Sequence, residues 1–304
     1  MSGETLAEIF LVASRLIWYG GIVSVLGACA LRVVLASTDG PARAAAERTA
    51  AATGLAGAAI LVVGTFARLF AQAYDSFGIE EPLTADLVWI VATDLPPWST
   101  GWQLQLVTAV AALAVFVRAR SRRPPWRIAT VVAAAIAATA PLTGHAVAQS
   151  EGPLLPVAVQ AAHVLGAGAW IGGLFVLALP HLRRRAQGNP SGSAVATAVE
   201  AFSPLALTSA GLLALSGAAT LFLYLEAISD LWTTTYGRTL LAKLAFVAAV
   251  AAAGFVNWRV IRPRLLAGGS PAPLRRSATI ELALAAVVLV LTAVLVGLPQ
   301  PGEH

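Results

Sequence analysis

The chain has 304 residues, 58% of them hydrophobic and 12% charged, with a mean hydropathy of +0.78. That balance excludes a soluble domain built on one large core and describes a polytopic membrane protein. The formal net charge of +5 would point to nucleic acid in a soluble chain, but here the arginines lie between apolar runs. There they read as a topology signal, and no nucleic-acid partner is expected.

A single cysteine, Cys29, excludes an intramolecular disulfide. The N-terminus carries Glu4 and Glu8 and no basic stretch, so the first apolar run is expected to remain as a helix. Apolar runs long enough to cross a bilayer fall at 6–34, 49–75, 101–119, 126–148, 155–182, 200–228, 237–261 and 276–298. Each is too long for a barrel strand, and helix is the open-chain form that satisfies its own backbone in lipid. The predicted fold is all-α, a polytopic membrane protein of eight transmembrane helices with the lipid bilayer as its surroundings.

In chain order, span 1 holds Arg15 and Trp18, and span 2 holds Arg68. Both arginines are expected to pair with a nearby carboxylate, Asp75 or Glu8. The loop at 76–99 contains LTADLVWIVATDLPPW, read as a short interfacial helix ended by Pro96 and Pro97. Trp98 and Trp102 then mark one membrane interface, and Trp126 and Trp258 the other. Span 4 ends in Pro141-Leu-Thr-Gly144-His145. Span 5 is AAHVLGAGAWIGGLFVLALP, the stretch around which the chain is predicted to be organised. Its Gly168 and Gly172 form a GxxxG pair that lets helix backbones approach closely. The segment 186–199 reads as a flexible linker. Span 7 carries Lys243 and Asn257, and span 8 carries Glu281. Lys243 is predicted to face the bundle, Glu281 to snorkel to the interface, and Asn257 to bond across helices.

Sixteen of the 20 basic residues follow spans 1, 3, 5 and 7, all on one side. The acidic residues Asp75, Glu80, Glu81, Asp86, Asp94, Glu151, Glu226 and Asp230 fall on the other. The positive-inside rule then puts both termini and the 76–99 loop outside the cytoplasm. Four spans per half, with weak echoes such as YGRTLLAKL against TGWQLQLVT, suggest a parallel 4+4 repeat. The halves are 1–148 and 149–304.

Of four histidines, two lie near each other in sequence and within apolar runs. His145 is at the outer end of span 4. His163 is about 13 Å into span 5 by helix rise. Ionisable groups in such positions are expensive and mark functional sites by default. Neutral imidazole suits copper, zinc, haem iron and nickel. Trp170 lies one heptad from His163 on the same helix face. Two imidazoles on adjacent helices would serve a metal-ion site or the axial ligation of haem b. Met1 is the only methionine, so no thioether path for Cu(I) is built here. There is no P-loop and no Ser–His–acid or HExxH pattern, so no enzyme activity is expected.

From LTGHAVA through span 5, FSPLALTSAGLLALSGAAT, YGRTLLAKLAFVAAVAAAGFVNWRVIRPRL and LRRSATIELALAAVVLVLTAVLV, the sequence resembles the CopD/PcoD copper-resistance membrane protein family. The resemblance covers about 140–298 and rests on Gly144-His145, His163, Trp170, Tyr236-Gly237-Arg238, Lys243, Asn257 and Glu281. It implies an eight-helix bacterial inner-membrane protein that takes up copper or serves copper homeostasis. It also implies a separate periplasmic copper-binding protein as partner. On this reading the copper ligands are His145 and His163, with Trp170, Lys243, Asn257, Glu281 and Arg15 in support.

Overall fold

Backbone groups in lipid must bond within their own segment, and the apolar runs do so as eight helices long and apolar enough to cross a membrane. They are Gly3–Val34, Ala46–Gly78, Trp98–Ala119, Trp126–Thr143, Leu154–Leu179, Thr197–Tyr224, Thr235–Leu266 and Ala272–Leu295, here spans 1 to 8. The computed structural model describes residues 2–34, 41–121, 126–144, 147, 152–183, 192–225 and 227–299. Among them there is no strand.

Span 1 is the centre of the bundle. It packs on spans 2, 4, 5, 6 and 8. Its Trp18, Ile22, Val25, Leu26, Cys29 and Leu31 are the middle of the main core cluster, joined by Leu61, Phe116, Ile136 and Val176 from spans 2 to 5. The expectation that span 5 organises the chain is therefore corrected. Span 5 is the second axis, and it meets the first at the predicted glycines. A Cβ on Gly27 of span 1 would fall on the carbonyl of Gly172, and one on Gly172 would fall on the carbonyl of Val23. Only hydrogen at both positions permits this approach. Immediately around it, Gly168–Gly172 forms a π-helical turn inside span 5, the kind of local bulge that re-aims neighbouring side chains.

Span 4 is shorter than its apolar run. Its regular ladder ends at Thr139, and Ala140–Thr143 continues as a 3-10 turn because Pro141 has no N–H to donate. The carbonyls of Thr139 and Ala140 accept instead from Gln105 Nε2 of span 3, at 2.9 and 3.3 Å. The interfacial helix is present as Ala85–Thr93, capped by the Thr84 hydroxyl, which accepts from the Leu87 N–H. Residues 192–199, expected as linker, are helical, since the sixth helix starts at Gly192. Ala, Val and Thr there propagate a helix once the apolar run beyond it is anchored. The rest of that predicted linker lies outside the described residues.

Trp102 is not an interfacial residue. It is 6% exposed and donates from Nε1 to the Thr65 carbonyl at 2.9 Å, tying span 3 to span 2. Trp258 is 41% exposed at the arginine-rich end, as an interfacial ring should be.

Candidate functional site

His163 lies nine residues into span 5 from its acidic end, about 14 Å of rise. Ser216 lies eight residues from the same end of span 6, and Lys243 eight from the same end of span 7. The three therefore share one depth. His163 Nδ1 is 3.2 Å from Ser216 Oγ. Ser216 is 6% exposed and its hydroxyl donates to the Leu212 carbonyl at 2.7 Å. Its single proton is thereby committed, so the hydroxyl oxygen accepts and the imidazole donates from Nδ1. A neutral imidazole in that tautomer keeps its lone pair on Nε2, the form that binds a metal ion. Gly217 leaves room for the ring, whose Cε1 would lie 3.5 Å from a Cβ there.

Lys243 is half-buried and lies within electrostatic reach of His163. Tyr236, two turns before Lys243 on the same face, and Tyr224 at the end of span 6 are both buried. Tyr224 lies beside Gln160, one turn before His163. Spans 5, 6 and 7 thus present a polar seam from the acidic end down to His163. Among the described residues no three His, Cys, Asp or Glu side chains gather as a metal-binding group. His145 lies outside the described residues.

The chain leading to His145 is held by a second polar network. Arg68 donates to Gln105 Oε1 at 2.7 Å and to Thr143 Oγ1 at 2.6 Å, and its guanidinium lies 4.4 Å from the Trp18 ring centroid. Gln105, 1% exposed, also reaches Thr143 Oγ1 at 3.1 Å. Spans 1, 2 and 3 are thus clamped onto a residue two positions before His145. The carboxylate partner expected for Arg68 is replaced by an amide and a hydroxyl, whereas Arg15 keeps Asp75 within electrostatic reach. Arg15 donates to the Ala293 carbonyl of span 8 at 3.0 Å. A guanidinium with five donors can be satisfied by carbonyls and amides, and such partners leave no trace in a charge pattern.

Trp170, in the π-helical turn of span 5, faces the arginine-rich half of the bundle. It lies against Gly254, with its Cζ2 3.5 Å from a Cβ built there. Glu281, 3% exposed, lies on the same side of Gly254, its Oε2 3.8 Å from that Cβ. Glu281 does not snorkel. Its Oε1 accepts from Asn257 Nδ2 of span 7 and from Ser277 Oγ at 3.5 Å, so burial is offset by hydrogen bonds. Asn257 bonds across helices as predicted, while its Oδ1 is buried without a partner. The pair is nine residues from the arginine-rich end of span 8.

Sequence reasoning missed Ser216, Gln105 and Thr143. The available signal was the register of Ser209 and Ser216, seven apart and on one face of span 6, where both are buried.

The family model described as copper resistance protein D-like, N-terminal domain, matches residues 6–156. The one described as copper resistance protein D matches residues 196–295. The chain is similar to the protein of Bacillus subtilis (strain 168) named "Copper transport protein CutJ". The two are 29% identical over 161 residues, covering 53% of this chain and 28% of that protein. The chain thus spans little more than a quarter of the length of the curated relative it matches. No solved structure matches.

Proposed function

The chain belongs to the copper resistance protein D family, and we propose that it moves copper inward across the bacterial inner membrane through a site at His163. The observation that carries this reading is the hydrogen bond from His163 to Ser216, which holds Nε2 ready as a ligand inside an apolar helix. Copper is the substrate, its first protein ligand is His163 Nε2, and its second is His145, which follows the Arg68-bound Thr143 by two residues in the sequence. A third donor is water or a group on a separate periplasmic copper-binding protein that delivers the ion.

A two-histidine site is weak by design, since a transported ion must leave again. Lys243 adds to this. Its ammonium near His163 repels a bound cation and shortens its stay. The acidic end of the bundle, with Asp75, Glu80, Glu81, Asp86 and Asp94, raises the local cation concentration before entry. The arginine-rich end is cytoplasmic and both termini are periplasmic.

Elemental analysis of detergent-purified protein after equilibrium dialysis against buffered free copper tests the site. Wild type should retain about one copper per chain, His145→Ala and His163→Ala should each lose most of it, and the double variant little more, because ligands of one site act together. Full copper retention by both single variants would place the site elsewhere. A Soret band in the purified protein would assign the imidazoles to haem instead.

A further inference from the structure

Spans 6, 7 and 8 touch at the arginine-rich end, where Leu265 packs against Val199 and Leu274, and beside that contact spans 5 to 8 leave space. Span 6 packs on span 5, and span 7 packs on span 8. The apolar windows of spans 6 and 7 are only 11% and 6% buried, against 28% to 44% for the other six. Between the two pairs lies a cavity of about 960 Å³. Its walls are apolar and include Leu174, Phe202, Leu207, Phe255 and Ile280. In span 8 the lining runs from Ala272 to Glu281, nine residues or about 14 Å of rise. That depth equals one leaflet of a hydrocarbon core about 30 Å thick. Trp170 closes the deep end.

The shallow end is cationic. Arg262, Arg275 and Arg276 all line it. Arg275 and Arg276 stand in the first turns of the Ala272–Leu295 helix, whose own first turn holds no acidic residue. Positive side chains at a helix N-terminus add to the positive end of the dipole, so this end of the cavity favours an anion. The carboxylate in reach of Arg262 is Glu200, whose Oε1 is 4.0 Å from Arg262 Nη2 and whose side chain is 60% exposed. Arg262 Nε is buried without a partner. The cavity therefore joins an apolar slot one leaflet deep to a cluster of guanidinium groups at headgroup level. Guanidinium matches phosphate oxygens in pairs.

We propose that this cavity holds an anionic phospholipid of the adjoining leaflet, its phosphate at Arg262, Arg275 and Arg276 and its acyl chains between spans 6 and 7, reaching Trp170. The site is independent of copper. It lies along apolar walls and adds to the sparse burial of spans 6 and 7.

Trp170 makes the site measurable. The full chain is reconstituted in phosphatidylcholine bilayers carrying a fixed fraction of dibrominated phosphatidylglycerol or of dibrominated phosphatidylcholine. Emission lost on Trp170→Phe gives the part due to Trp170. Brominated phosphatidylglycerol should quench that part more strongly, and the preference should fall about fivefold per arginine removed in Arg262→Gln and Arg262→Gln/Arg276→Gln. High salt should weaken the same preference in the wild type, which tests the charge without a substitution. Equal quenching by the two lipids in wild type at low salt would overturn the proposal. So would unquenched Trp170 emission from a chain that light scattering finds dimeric, since a second copy would then cover the slot.

Discussion

Ser216→Ala is the most informative single change, because it leaves both histidines in place. The hydroxyl accepts from His163 Nδ1 at 3.2 Å while donating to the Leu212 carbonyl at 2.7 Å. Removing it strands an N–H in an apolar helix interface, at a cost of about 1–3 kcal/mol to the ring as placed. The ring recovers by turning or by moving its proton to Nε2, and either change takes the lone pair away from the site. Loss of an outer hydrogen-bond partner of a metal-binding histidine typically lowers affinity about 10- to 100-fold. The effect on folding should be smaller, since hydrogen bonds between membrane helices average about 0.6 kcal/mol. The assay is competition against a chelator of known copper affinity, with a thermal melt on the same samples. The expected outcome is a 10- to 100-fold weaker copper affinity with little change in melting temperature. Ser216→Thr, which keeps the hydroxyl, should restore most of the affinity. Wild-type affinity in Ser216→Ala would show that the tautomer is not set by this contact.

Three further outcomes follow from the packing and the charges. Gly172→Leu should destabilise the bundle by about 3 kcal/mol or more, since backbone of span 1 fills the space a side chain needs; a melt unchanged from wild type would refute that contact. Arg68→Leu should cost about 2–3 kcal/mol and also weaken copper binding, because Gln105 Oε1 and Thr143 lose their donor two residues from His145; intact copper binding in a destabilised protein would separate the clamp from the site. Reporter fusions after Arg123 and after Asp86 should report opposite compartments; the same compartment for both would contradict the eight-span topology.

The eight helices were legible because hydropathy over 20 residues measures the cost of leaving backbone and side chains in lipid, and that cost dominates locally. Partners were much less legible. Gly168 and Gly172 announced a close helix approach, but nothing in their spacing named Gly27. Arg15 and Arg68 were assigned carboxylates because charge is visible in a sequence, whereas the Ala293 carbonyl and the Gln105 amide that bind them are not. Glu281 was read as snorkelling because it lies near a helix end. The depth at which Asn257 of span 7 meets it is set by tertiary register. Ser216 was passed over because a serine in an apolar helix usually bonds its own i−4 carbonyl. It does so here, and that same bond gives it its role toward His163.

Copper uptake into sealed proteoliposomes tests the central claim most directly. Wild-type protein, with chelator trapped inside and copper supplied to the acidic face, should accumulate copper above protein-free liposomes. His163→Ala, folded by the same thermal melt, should fall to the protein-free level. Accumulation by His163→Ala at the wild-type rate would contradict a route through His163.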